Sequence, residues 1–139
     1  MKQYIYLGLI LILAFTIITG CASKNDDENS ENNTSHGYEQ ITPDEANLLM
    51  DSENDFIILD VRTEEEYDTE HIANAILIPH YEIKEKAESI LTDKDQLILI
   101  YCRSGRRSKN AASTLATLGY TNIKEFGGII DWKYDTITK

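Results

Sequence analysis

At 139 residues the chain has room for one compact domain and little besides. Its 24 acidic residues outnumber 13 Lys and Arg, and the net charge of −11 argues against a nucleic-acid binder, which needs a concentrated basic face. Two cysteines and three scattered histidines cannot assemble a four-ligand zinc site, so neither a metal nor another cofactor is expected.

Residues 1–21 read MKQYIYLGLILILAFTIITGC: Lys2, a long apolar run, then Ile18-Thr19-Gly20-Cys21. The segment resembles a bacterial lipoprotein signal, in which small residues precede a cysteine that is lipidated and becomes the mature N-terminus. Ile18 stands where such signals more often carry leucine. An ordinary secretory signal or an uncleaved anchor helix leaves the cysteine after Thr-Gly unexplained. The apolar run is also shorter than the roughly twenty residues a spanning helix needs. The resemblance implies that residues 1–20 are a signal peptide, that Cys21 carries the lipid, and that the protein is extracytoplasmic and anchored to the cell membrane. Residues 22–37, ASKNDDENSENNTSHG, lack periodicity and apolar surface, so 21–37 reads as a lipidated cysteine with a flexible polar tether. His36 belongs to that tether and reads as solvated.

From residue 38 to 139 strand and helix signals alternate. Tyr38 to Ile41 is a short strand. Thr42-Pro43-Asp44-Glu45 combines a hydroxyl cap, a proline in the first turn and a glutamate three residues on, so a helix starts there, with Ala46, Leu49 and Met50 on one face. Phe56 to Asp60 is a continuous apolar run, as a strand covered on both faces would be. Thr63-Glu64-Glu65-Glu66 repeats the capping pattern and opens a short helix. Ala75 to Ile78 is a third strand, stopped by Pro79. Ile83, Ala87, Ile90 and Leu91 mark an amphipathic helix. Leu97 to Tyr101 is the strongest strand and ends at Cys102. Ala111, Ala112, Leu115, Ala116 and Leu118 form the buried stripe of a helix that Gly119 terminates. Ile123 to Phe126 is a last strand, followed by Gly127-Gly128 and a short apolar helix with Ile129, Ile130 and Trp132. The pattern predicts an α/β fold with a mostly parallel central sheet of about five strands and helices on both faces. In such sheets the working site lies at the carboxyl ends of the strands, where Cys102 stands.

The segment Cys102-Arg103-Ser104-Gly105-Arg106-Arg107-Ser108 joins the strongest strand directly to a helix. Such a turn aims successive backbone N–H groups inward near a helix N-terminus, and these dipoles and the arginines push a cysteine toward thiolate. Gly105 permits the tight curvature. Three arginines within five residues of an acidic protein suggest a small anionic ligand rather than a polyanion. A phosphatase loop would place arginine six positions after the cysteine; here that position is Ser108, and arginines stand at the fourth and fifth. The shorter loop fits attack on sulfur, with the resulting persulfide held by the N–H cradle.

The loop resembles the active-site loop of the rhodanese family. Leu59-Asp60-Val61-Arg62, Glu66-Tyr67, His71-Ile72, Ala75 and Ile78-Pro79 are similar to that family's first signature. Gly119-Tyr120, Asn122-Ile123, Gly127-Gly128 and Trp132 are similar to its ending. Two positions depart from the pattern: Glu70 and Asn74 stand where glycine is common, both expected in surface turns. The resemblance implies a rhodanese-like fold and a sulfurtransferase. Cys102 would take the outer sulfur of thiosulfate or a similar small anionic donor and yield it to a thiol or cyanide-like acceptor. Arg103, Arg106 and Arg107 would attract the donor and stabilise departing sulfite, while Ser104 and Gly105 supply backbone donors. A persulfide carrier without turnover is the alternative, and a phosphatase or arsenate reductase on the same fold is disfavoured by loop length. Nothing calls for more than a monomer. Of the remaining polar residues, Arg62 is expected to pair with Glu66, and Asp60 to brace the loop or cap its strand. His71 is expected to be structural, and Tyr120 and Trp132 to belong to the core. His80 has no evident partner.

Overall fold

A computed structural model describes residues 37–139. The leader, the tether, Cys21 and His36 lie outside the described residues. Five strands form one parallel sheet in the order β1-β5-β4-β2-β3. They are β1 (Glu39–Gln40), β2 (Phe56–Asp60), β3 (Ile76–Leu77), β4 (Leu97–Cys102) and β5 (Ile123–Gly128). Between them run α1 (Pro43–Ser52), α2 (Glu64–Thr69), α3 (Ile83–Ile90) and α4 (Arg106–Thr117), and a 3₁₀ turn, Ile129–Asp131, follows β5. The expected α/β sheet is therefore present. β1 and β3 are shorter than their apolar runs, and β5 runs on through the two glycines. Among the described residues no helix is long and apolar enough to cross a membrane.

The period-two geometry of β4 divides the core. Ile98, Ile100 and Cys102 face a cluster built with Ala111, Ala112 and Leu115 of α4 and Ile83 and Ala87 of α3. Leu97, Leu99 and Tyr101 face the other side, with Ala46 of α1, Ile72 and Phe126. Every β4 side chain is buried, which explains why this strand reads as an unbroken apolar run. Tyr120 is buried as expected, whereas Trp132 packs half-buried against Phe126.

Both capping boxes form. Thr42 and Thr63 accept from the N–H of Glu45 and Glu66, whose carboxylates return to the cap backbone. Each cap is worth about 1 kcal/mol. α4 ends in paired reverse bonds, Gly119 N–H to the Ala116 carbonyl and Tyr120 N–H to the Leu115 carbonyl. The two departures from the family signature are accommodated. Asn74 adopts φ 63°, which its short amide tolerates, and Glu70 is extended at φ −166°, its carbonyl accepting from Arg62 and its carboxylate from the Thr136 hydroxyl at 2.8 Å.

Arg62 does not pair with Glu66. Its guanidinium lies against Asp60 at 2.6–3.0 Å and donates to the Glu70 carbonyl at 2.6 Å. Residues two apart in extended chain project to the same side, so Asp60 is the nearer carboxylate. Asp60 also accepts the Arg62 N–H at 2.9 Å, and of its two expected roles the strand-end cap is the one seen. The pair is almost wholly buried, stacks near the Tyr101 ring, and ties the end of β2 to α2. His71 is structural, stacked on Tyr67, with Nδ1 donating to the Tyr67 carbonyl at 2.7 Å. His80 Nδ1 is buried without a hydrogen-bond partner among the described residues.

Removing one member of this buried pair leaves the other charge uncompensated. Asp60→Ala is expected to lower the unfolding free energy in urea by about 3–5 kcal/mol. A loss under about 1 kcal/mol would show that the pair does not hold β2 to α2.

Candidate functional site

Cys102 ends β4 at the carboxyl edge of the sheet, and α4 begins after three intervening residues. Gly105 makes that change of direction at φ 94°, a backbone region that side chains disfavour. It serves as the helix cap without a side chain, so the first N–H groups of α4 need another acceptor. The sulfur is that acceptor. Gly105 N–H donates to Cys102 Sγ at 3.1 Å and the Ser108 hydroxyl lies 3.5 Å away. Burial opposes ionisation, since the thiol is 1% exposed. Donation from the Ser108 hydroxyl and from the Ser108, Ser104 and Gly105 N–H groups outweighs it, and the thiol pKa falls below its ordinary value. Cys102 is a free thiol.

The charge around this helix start runs against stability. α1 and α2 place Asp44 and Glu45, and Glu64, Glu65 and Glu66, in their first turns. α4 has no acid there and two arginines instead. Cations beside the positive end of a helix are unfavourable unless an anion joins them. Arg103, Ser104 and Arg106 are exposed, and neither Arg103 nor Arg106 makes an ion pair among the described residues.

Arg107 differs from the expectation that it binds donor freely. Its guanidinium grips Glu66 of α2 with two bonds of 2.7 and 2.8 Å while also facing Cys102. The Glu66 bond, against some desolvation, and then the Cys102 charge raise its pKa. Glu66 is thus the partner of Arg107 rather than of Arg62, and the pair fixes a cation beside the sulfur. Beside the loop a cavity of about 440 Å³ is lined by Arg62, Glu66, Glu70, Arg103, Ile129 and Ile130.

Three residues that the sequence reading left unassigned complete the site. Ser108 is fully buried, and its hydroxyl lies 2.6 Å from Glu125 Oε1, itself on a side chain 2% exposed. Gly128 passes so close to the loop that a Cβ there would lie 2.2 Å from the Arg103 carbonyl oxygen. The register moves two positions along β4, from Ile100 to Cys102, and three along β5, from Glu125 to Gly128, and this bulge brings β5 alongside the loop. Glu125 carried a usable signal: an acid at an inward position of a buried strand.

Residues 42–135 match the Rhodanese-like domain. The chain belongs to the rhodanese-like family. It is 40% identical over 73 residues to the thiosulfate sulfurtransferase PspE of Escherichia coli, covering 52% of this chain and 70% of that one. It is 35% identical over 97 residues to the thiosulfate sulfurtransferase GlpE of Coxiella burnetii, covering 69% and 88%. A solved rhodanese with anions from E. coli superposes with a TM-score of 0.57 at 35% identity, covering 60% of this chain and 98% of that one. The rhodanese-like domain accounts for nearly all of the described fold.

Arg107 above all, with burial opposing and Thr63 assisting, lowers the Glu66 carboxyl to about 2. Its folded pKa is depressed, so its stabilisation is fully present above the unfolded value near 4.5 and is lost as pH falls through about 2. Over that window Glu66→Gln should lose less stability with acid than the wild type in denaturant titrations. Equal acid slopes would contradict the pairing.

Proposed function

We propose that the protein is a thiosulfate-type sulfurtransferase, held outside the cell at the membrane by a lipid on Cys21, with Cys102 as the persulfide-forming nucleophile. The observation that carries this reading is the Cys102 sulfur acting as the acceptor for the N-terminus of α4. The names of the two relatives above support thiosulfate as donor. The leader sequence supports the anchor.

In the first step the Cys102 thiolate attacks the outer sulfur of thiosulfate. A bond from Sγ to that sulfur forms as the donor's S–S bond breaks, and the electron pair leaves on sulfite. The exposed Arg103 and Arg106 attract the dianion, and Arg107, fixed by Glu66, offsets charge at the reacting sulfur. The inward N–H groups then hold the persulfide as they hold the thiolate. In the second step a thiolate or cyanide acceptor attacks the outer sulfur, and Cys102 leaves as thiolate. A low thiol pKa helps that departure. The spacing from Cys102 to Arg106 and Arg107 continues to disfavour phosphate chemistry, because the sixth position after the cysteine is a buried serine engaged with Glu125.

Steady-state transfer from thiosulfate to cyanide, read as thiocyanate, tests the reading. Cys102→Ser is expected to reduce it to background with the fold intact, and transfer by that variant would refute the role of Cys102. Arg103→Ala and Arg106→Ala should each raise KM for thiosulfate about threefold, the effect shrinking as salt is added.

A further inference from the structure

Beneath the reactive sulfur lies a buried carboxylate that the transfer steps above do not use. Glu125 pairs across the ladder with Ile100, whose side chain faces the core under α4. Packing alone would place an apolar residue there. Instead Glu125 Oε1 accepts the Gly127 N–H at 2.9 Å and lies 2.6 Å from Ser108 Oγ. The same hydroxyl is 2.9 Å from the Gly105 carbonyl, 3.4 Å from the Gly127 carbonyl and 3.5 Å from Cys102 Sγ.

A serine hydroxyl has one proton. With Glu125 ionised, the short contact claims that proton, and Ser108 turns a lone pair toward the sulfur, an arrangement that suits a thiol. With the sulfur ionised, the hydroxyl proton must point at Sγ, and Glu125 keeps its short contact only as an acid that donates to Ser108. Two negative charges on one buried hydroxyl would leave one of them with only its backbone N–H donors, facing an oxygen lone pair at short range, and would repel each other.

We propose that Glu125 is a positioning residue for sulfur transfer that competes with Cys102 for the single Ser108 proton, so that the buried pair carries one negative charge. The charge lies on the carboxylate at rest and on the sulfur in the reactive form. In the exchange the S–H proton passes to Ser108 Oγ while the Ser108 proton passes to Glu125 Oε1, with no change in net charge. Arg107, tied to Glu66, faces the sulfur and favours the second form. The Tyr38 phenol, raised by burial and by Glu125, adjoins the carboxylate, with Ser113 of α4 bonded to it. Arg103 and Arg106 stand exposed on the loop. Glu125 therefore restrains ionisation of the nucleophile and Arg107 promotes it. The inference rests on reading Cys102 as the nucleophile.

The test is the pH dependence of iodoacetamide alkylation at Cys102 in the full chain, followed on the peptide that contains it, for the wild type, Glu125→Gln and Ser108→Ala. Glu125→Gln should move the midpoint down by about one pH unit or more. Ser108→Ala, which removes the thiolate's hydroxyl donor and leaves the carboxylate in place, should move it up. An unchanged or raised midpoint in a folded Glu125→Gln protein overturns the inference. If that variant does not fold, an unchanged or lowered midpoint in Ser108→Ala overturns it. Alkylation needs no sulfur donor, so shifted midpoints in a protein that fails to turn over thiosulfate would refute the proposed function and leave the shared proton standing.

Discussion

Where β4 ends, the chain must leave the sheet, reverse its hydrogen-bonding direction and begin α4 within three residues while β5 continues alongside. The two backbones approach so closely that residue 128 cannot carry a Cβ without striking Arg103 and Ser104. The Ile130 N–H then reaches the Arg103 carbonyl at 3.3 Å. With the loop backed by β5 in this way, its N–H groups turn inward to the Cys102 sulfur. Glu125 reaches Ser108 from the last regular pair of the ladder, with Ile100, and the bulge that follows supplies the extra residue that sets Gly128 against the loop. The Cys102 sulfur and its N–H donors thus depend on the close approach of Gly128 to the loop.

The charge around that contact runs against helix stability. α1 and α2 follow the rule that acids belong in a helix's first turn, and α4 breaks it. Arg107 is kept in place by a carboxylate from α2, an element whose own cap uses the same Glu66 side chain. A residue that begins as a helix cap therefore also sets the charge beside the sulfur. Local violations of a stability rule are expected at functional sites.

Much of the fold was legible because its elements carry strong local signals. Thr42 and Thr63 announced two helices through their capping boxes, and the all-apolar β4 announced a strand covered on both faces. Cys102 and the glycine of its loop were legible from their place between that strand and α4. The partner choices of Arg62 and Arg107 were not. Arg62 turns back to Asp60 because both lie on one side of extended chain, whereas the expected i to i+4 pairing with Glu66 belongs to a helix that begins only at Glu64. Arg107 meets Glu66 only because the tertiary fold brings α2 to the loop. Ser108 entered the sequence reading only as the residue that was not arginine. Glu125 and Gly128 lie seventeen and twenty residues beyond it, and only the parallel pairing of β5 with β4 brings them to the loop.

The most direct test of this account is the mass of the Cys102-containing peptide from the reduced protein, before and after incubation with thiosulfate. A gain of one sulfur atom on Cys102, lost again on adding cyanide, is the result expected of a nucleophile held in an N–H cradle. A folded protein with a free Cys102 thiol that gains no sulfur would contradict it.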